Sequence, residues 1–490
     1  MLFACGASTV PATAKPEIAL NRTLPLVLAV ALFMEHMDST VISTALPAIA
    51  ADLGTSPVAL KLALTAYLVS LAIFIPISGW MADRYGARRV FRTAIAVFIA
   101  GSVLCALSGS LTAFVASRFV QGMGGAMMTP LARLMLVRGT PRSDLVNAMA
   151  WLTVPALIGP MVGPPVGGFI TTYVSWHWIF IINVPIGLAG ILISGFVLPK
   201  IETHAPPPMD WAGFLLAAIC ASGLVFGLSV ISLPALPPAV GFATTAMGAV
   251  AGMVYVRHAR RAAAPILDLR LFRSTAFRAA IAAGSLFRIG NGAVPFLLPL
   301  MFQLIFGLSP FQSGLLTFAS AIGALTVKFV AGATLRAAGF RTVSIAAAIG
   351  GGMLVGANAL FTEATPYPAI IATLIAAGFL RSLFYTSANT MVFAEIDDRA
   401  AAQATAMAAA AQQVSTALGV ACAGGLLEIM TGLSVGGLDR FAFVVAFLTA
   451  SAIALTAVVP LLRLPRDIGQ AISGHGARRR TGVAEPDLQE

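Results

Sequence analysis

The chain has 490 residues, of which 58% are hydrophobic and 10% are charged, and its mean hydropathy is +0.91. A soluble domain carries about 25% charged residues, so this composition excludes a water-soluble globular protein. A net charge of +11 invites a nucleic-acid reading, but only 4 of the 30 basic residues are Lys. Most of the basic residues punctuate apolar runs, as they do in cytoplasmic membrane loops.

Residues 1–23 read as a cytoplasmic tail without a long apolar core. The first apolar run, 24–50, contains FMEHMDSTVISTALP (33–47), which places Glu35, His36 and Asp38 at bilayer depth. An ionisable group there costs about 2.5–3.5 kcal/mol or more, so function is its default explanation. The AIAA at 48–51 resembles a signal-peptidase site, but signal cores do not carry three ionisable groups. A spanning helix needs about 20 mostly apolar residues. Thirteen further runs meet that length, at roughly 60–81, 93–110, 112–137, 146–171, 178–198, 211–232, 237–256, 277–305, 311–335, 342–361, 367–392, 401–430 and 440–462. Residues 463–490 form a basic tail. With both termini inside, cytoplasmic segments hold 23 Lys or Arg, exterior segments hold only Lys61 and Arg440, and five lie within spans: Arg118, Arg133, Arg288, Lys328 and Arg381. That asymmetry supports fourteen spans with this orientation.

GWMADRYGARRV (79–90) after span two is echoed by GATLRAAGFRTV (332–343) after span ten, with Gly at positions one and eight and Arg at position ten of both. The echo makes residues 24–198 and 277–462 two parallel six-helix lobes, with two extra spans in the linker 199–276. In the first copy the residues suit a conformational latch: Gly79 and Gly86 for sharp turns, and Asp83 within reach of Arg84, Arg88 or Arg89. The alternative is an ordinary positive-inside loop.

In span four, SRFVQGMGGAMMTP (117–130) places Arg118 at membrane depth. An Arg there must pair, hydrate, or snorkel to the interface. In span five, Gly159, Gly163 and Gly167 recur every four residues beside Gly168, Pro160 and Pro164. A smooth, kinked helix of this kind suits either a hinge between the lobes or tight packing. Of the later charges, Arg288 or Arg381 could balance Asp38 or Glu35 across the lobes. Gln121, Arg288, Asn291 and Arg381 are candidates for the cavity, Lys328 and Arg381 could equally lie off the pathway, and Glu428 reads as a wet residue near the exterior end of span thirteen. The cysteines Cys5, Cys105, Cys220 and Cys422 form no CxxC pair or metal spacing. No nucleotide-binding loop is present, since GMGGAM lies inside a span rather than after a strand.

These motifs resemble those of the major facilitator superfamily, and within it the fourteen-span drug:proton antiporters, nearest the MdtD-like multidrug transporters. MDSTVISTALP (37–47), GWMADRYGARR, RFVQGMGGAMM, GPMVGPPVGG, SWHWIFIINVPIG (175–187) and ILDLRLFR (266–273) carry the resemblance over nearly the whole chain. It implies an all-α integral membrane protein of the major facilitator fold in a bacterial inner membrane. The implied activity is proton-coupled export of amphipathic organic compounds, not enzyme chemistry. It places Asp38 at the acidic position of helix one and Arg118 at the basic position linked to proton transfer. Glu35 stands where an uncharged residue, often Gln, is usual, and lies one turn from Asp38 on the same face. Both carboxylates are therefore expected at the central cavity as carriers of the coupling proton, with His36 turned about 100° away from Glu35 as a packing residue. The expected partners are protons, lipid and an amphipathic small molecule, with no cofactor, metal or nucleic acid, and nothing in the residues speaks for a periplasmic adaptor. The rival readings are a carrier of a narrow metabolite class and a non-transporting scaffold; the buried charges weigh against the scaffold.

Overall fold

The computed structural model describes residues 23–141, 144–198, 208–233, 236–397, 400–434, 437–465 and 468. The N-terminal tail, the segment 199–207 and Arg478–Arg480 lie outside the described residues. Every regular element among the described residues is helical. The spans are α1 (Thr23–Thr44), α2 (Lys61–Tyr85), α3 (Ala87–Ala106), α4 (Leu111–Gly139), α5 (Leu145–Tyr173), α6 (Trp178–Val197), α7 (Trp211–Ile231) and α8 (Pro238–Ala259). They continue with α9 (Thr275–Leu304), α10 and α11 within Pro310–Ala357, α12 (Tyr367–Met391), α13 (Ala401–Leu433) and α14 (Arg440–Leu462).

Among the described residues, twelve helices are long and apolar enough to cross a bilayer by length and composition. Two features reconcile that number with the expected fourteen. Pro310–Ala357 is one helical run of 48 residues, too long for one crossing, and it breaks at Gly339, whose φ is +75°. Leu111–Gly139 has 29 residues and carries Arg118, Arg133 and Arg138, which lower its apparent hydropathy without shortening it.

Polar residues at the breaks start the helices. Ser110, Ser274 and Asp439 accept from the third following backbone N–H at 3.0–3.3 Å. Ser309 and Gln312 form a reciprocal capping box at the start of α10. Asp210 caps α7 through the Gly213 amide at 2.8 Å and also meets His258 at 2.7 Å. Burial works against its charge, yet the Gly213 amide, the His258 ring and the Ile266 amide hold this carboxyl below the usual carboxylate range.

The sequence echo is also a structural one. Gly86, at φ +88°, ends α2, and Gly339, 253 residues later at φ +75°, ends α10. Such φ values favour glycine. Arg88 donates to the Gly195 carbonyl at the end of α6, and Arg341, at the same offset, donates to the Leu462 carbonyl at the end of α14 at 2.9 Å. The two lobes, α1–α6 and α9–α14, meet through equivalent pairs: α5 packs on α10, and α2 packs on α13. α7 lies against both α2 and α13, and α8 packs on α7. The extra hairpin therefore covers one seam between the lobes.

Candidate functional site

α1 supplies the buried charges. Glu35 and Asp38 are 7% and 1% exposed, and both side chains turn toward α4. Asp38 is enclosed by the first lobe. Arg118 donates through Nη1 to Asp38 Oδ2 at 2.7 Å. Gln121 and Asn183 donate to Asp38 Oδ1 at 2.8 and 2.9 Å. Gln121 also donates to the Ser102 hydroxyl at 2.8 Å and accepts from Arg118. The guanidinium carbon of Arg118 stands 4.2 Å from the centre of the Tyr67 ring, a stacking geometry favourable to a buried cation. Ser102, Arg118, Gln121 and Asn183 are fully buried, so the network excludes water while satisfying its charges.

Several expectations change here. Asp38 and Glu35 do not line the central cavity: the helical repeat turns both toward α4 instead of toward the other lobe. Arg118 does not snorkel to an interface, because a carboxylate lies within reach. Asp38 is balanced inside its own lobe by Arg118, not across the lobes by Arg288 or Arg381. Gln121 belongs to this enclosed network, not to the cavity wall. The His36 ring contacts the adjacent Glu35 carboxylate, although their backbone positions differ by about 100° around the helix. Thr129 also donates to Glu35, at 3.2 Å.

The latch residues make contacts within the first lobe. Asp83 pairs with Arg138 of α4 at 3.3 Å, not with Arg84, Arg88 or Arg89 of its own loop. A Cβ on Gly79 would meet no atom within 4 Å. The stripe Gly159, Gly163 and Gly167 faces α1 of the same lobe, where added Cβ atoms would fall 2.9 Å from the Phe33 carbonyl, 2.1 Å from Thr40 Oγ1 and 2.3 Å from the Val41 carbonyl. The stripe is a packing face against α1 within the first lobe. Between α5 and α10, across the lobes, the close approaches are Gly168 to the Pro310 carbonyl and Gly314 to the Pro164 carbonyl, at 2.4 and 2.3 Å from their added Cβ atoms.

A cavity of about 280 Å³ lies between the lobes. Pro160 and Pro164 of α5, Asn291 of α9, Lys328 of α10 and Arg381 of α12 contribute to its wall. It is closed at the end away from the arginine-rich loops. There Gln303 donates to the Thr44 carbonyl at 2.9 Å, and the Phe311 amide donates to Thr172 at 3.2 Å. Arg288 stands just outside this cavity, over the Tyr385 ring at 4.4 Å and 3.3 Å from Asn389. At the 253-residue offset relating the lobes, Glu35 and Asp38 correspond to Arg288 and Asn291. The first lobe is acidic where the second is basic.

Sequence reasoning missed a second charged cluster. Lys61, read as an exterior loop residue, is fully buried and pairs with Glu428, read as wet. Ser232, just beyond α7, donates to Glu428 at 2.6 Å and accepts from Lys61 at 2.9 Å. This cluster ties α2, α13 and the extra hairpin together. The residues Asn183 and Ser102 were also missed. Their only sequence signal is an uncharged polar side chain within an apolar run.

Two equivalent six-helix lobes around a largely apolar cavity carrying Lys328 and Arg381 define a membrane transporter of the two-lobed helical class. The chain belongs to the Major Facilitator Superfamily, whose family model matches residues 28–280 and 280–483. It is 36% identical over 449 residues to a protein of Haemophilus influenzae named "Probable transport protein HsrA", covering 91% of this chain and 97% of that one. It is 36% identical over 405 residues to the "Putative multidrug resistance protein MdtD" of Pectobacterium atrosepticum, covering 83% and 87%. Among solved structures, a POT family transporter in complex with 5-aminolevulinic acid matches with a TM-score of 0.68 at 15% identity, over 90% of this chain and 95% of that one. A D-xylose-proton symporter matches at 0.63 and 17%, over 91% and 98%. At these identities the structural matches speak for the fold alone.

Proposed function

We propose that this transporter is a proton-coupled antiporter that exports amphipathic organic compounds across a bacterial inner membrane by alternating access. The observation that carries this reading is the enclosed Asp38–Arg118 pair. A carboxylate whose only charged partner is a buried Arg supplies two discrete states, charged and paired or protonated and neutral. Gln121 and Asn183 can hold either form, since amides both donate and accept. Protonation removes the charge that holds Arg118 and biases the packing of α1 against α4. Glu35, one turn away with Thr129 and His36 beside it, is the second candidate carrier of a proton. Both termini and the arginine-rich loops lie in the cytoplasm, following the distribution of basic residues. The pair then takes its proton from the outside and releases it inside, while substrate leaves in the opposite sense. A membrane potential adds about 2.3 kcal/mol per charge per 100 mV. The name of one relative, "Putative multidrug resistance protein MdtD", supports the export reading.

The test uses inside-out vesicles under an imposed pH gradient, challenged with amphipathic compounds of both charges. Wild type is expected to release protons on substrate addition, and Asp38→Asn is expected to be silent at equal abundance. Glu35→Gln shows whether one carboxylate or two are coupled. A wild-type response retained in Asp38→Asn removes Asp38 from the coupling site, and no response to any compound removes the multidrug reading.

A further inference from the structure

Lys328 and Arg381 enter the central cavity, and among the described residues no carboxylate lines it. On α10 the wall residues Thr317, Ala321, Ala324 and Lys328 recur three or four positions apart, so Lys328 ends a stripe that faces the cavity. On α12 Leu374, Ala377 and Arg381 form the matching stripe. Neither cationic head makes a hydrogen bond or ion pair with a described residue. The buried carboxylates are engaged elsewhere: Asp38 with Arg118, Glu428 with Lys61, and Glu35 with His36 and Thr129. The cavity therefore holds two uncompensated positive charges.

A structural role does not explain them. A lone charge at membrane depth carries a desolvation cost: Arg118 and Lys61 are neutralised by carboxylates and Arg288 is held by Asn389 and the Tyr385 ring, whereas Lys328 and Arg381 make no hydrogen bond or ion pair with a described residue. Low-dielectric walls also focus the field of like charges into the space between them. Both cations belong to the second lobe, on α10 and α12, which pack directly against each other. The opposite wall comes largely from the apolar Leu157, Pro160 and Met161 of α5 in the first lobe, beside Thr40 and Ser43 of α1.

We propose that the substrate is an amphipathic organic anion. Its carboxylate-type head is held by Lys328 and Arg381, and its apolar body lies on α5. Arg381 offers the planar fork that matches an oxyanion in two-point fashion, and Lys328 adds a point charge. A molecule bound this way spans both lobes, so its entry and exit are tied to their relative motion. This inference rests on the transport reading and narrows it from amphipathic compounds in general to negatively charged ones. It runs against a cavity built for lipophilic cations, which two free positive charges would repel.

The test is equilibrium binding to the purified full-length protein in detergent micelles at pH 7, with three probes sharing one ring system: 1-naphthoate, 1-naphthamide and 1-naphthylmethylammonium. Naphthoate is expected to bind at least ten-fold more tightly than the amide, with the ammonium weakest. Lys328→Gln and Arg381→Gln are each expected to weaken naphthoate binding about ten-fold, and Lys328→Arg to retain most of it. Melting temperatures establish that the variants are folded, and the Lys328→Arg result separates charge from packing. Equal or tighter binding of the amide or the ammonium overturns the inference, as does no binding of naphthoate, or naphthoate affinity unchanged in the double Gln variant. No proton gradient enters this measurement. A vesicle assay without proton coupling would therefore remove the antiport reading and leave the anion site standing. Proton release driven only by lipophilic cations would remove the anion site and leave antiport standing.

Discussion

Asp38 accepts hydrogen bonds from Arg118, Gln121 and Asn183 at once, on both carboxylate oxygens. Three donors on a side chain that is 1% exposed offset much of the hydrogen bonding lost from water. Lys61 and Glu428 follow the same rule with Ser232 as the third member. Breaking a buried pair by removing one partner leaves an uncompensated charge and costs about 3–5 kcal/mol. Lys61→Met is therefore expected to lower the melting temperature of the detergent-solubilised protein strongly. Lys61→Met with Glu428→Leu is expected to recover most of the loss, since an apolar pair of similar volume removes both desolvation costs. Additive losses in the double variant would refute the pairing. The sequence marked Asp38 and Arg118 by the rarity of charge in apolar runs. It could not mark Lys61 or Glu428, because charges near span ends are ordinary there and only contact across the lobes shows them to be dry.

At the scale of the helix, the breaks were more legible than the faces. The glycines at position eight of the two echoing segments were visible as a repeat, and each proves to hold the positive-φ backbone that ends a span. Gly86→Ala and Gly339→Ala are each expected to destabilise by about 1–3 kcal/mol, the penalty of a Cβ in extended backbone at positive φ. Thermal unfolding of the two single variants would check this, and a stable Gly339→Ala would argue against a fixed break between α10 and α11. The stripe of α5 shows the opposite limit. Its spacing revealed that one face is smooth, but a smooth face fits any neighbour, and α1 rather than the other lobe occupies it. The prolines of α5 do not divide it: the helix runs unbroken from Leu145 to Tyr173, with Pro160 and Pro164 at the cavity, where their missing donors leave no buried N–H to satisfy.

At the scale of the molecule, the lobes meet firmly at one end. There Phe311 contacts Thr172 through its amide and packs between Phe169 and Tyr173, with ring centres 6.0 and 5.9 Å away. Alternating access requires this contact to open in the other state. A cysteine pair at Thr172 and Phe311 is expected to cross-link under mild oxidation and to stop transport, with activity returning on reduction. Undiminished transport by the cross-linked protein would mean that this end does not open. The hairpin α7–α8 lies over the seam made by α2 and α13, and the Lys61–Glu428–Ser232 cluster fastens it to both lobes.

The sequence by itself pointed to an all-helical membrane protein of about fourteen spans with two echoing halves, acidic residues in the first span and basic ones in later spans. These follow from hydropathy, length and repetition, which are local and need no knowledge of neighbours. Only the tertiary structure decided that Asp38 turns inward to Arg118, that Glu428 is dry, and that Lys328 and Arg381 share a cavity. A helix displays side chains around its whole circumference, and its sequence spacing fixes which residues share a face. What that face meets depends on the rotation of each helix in the bundle, and that rotation is set by packing among all fourteen.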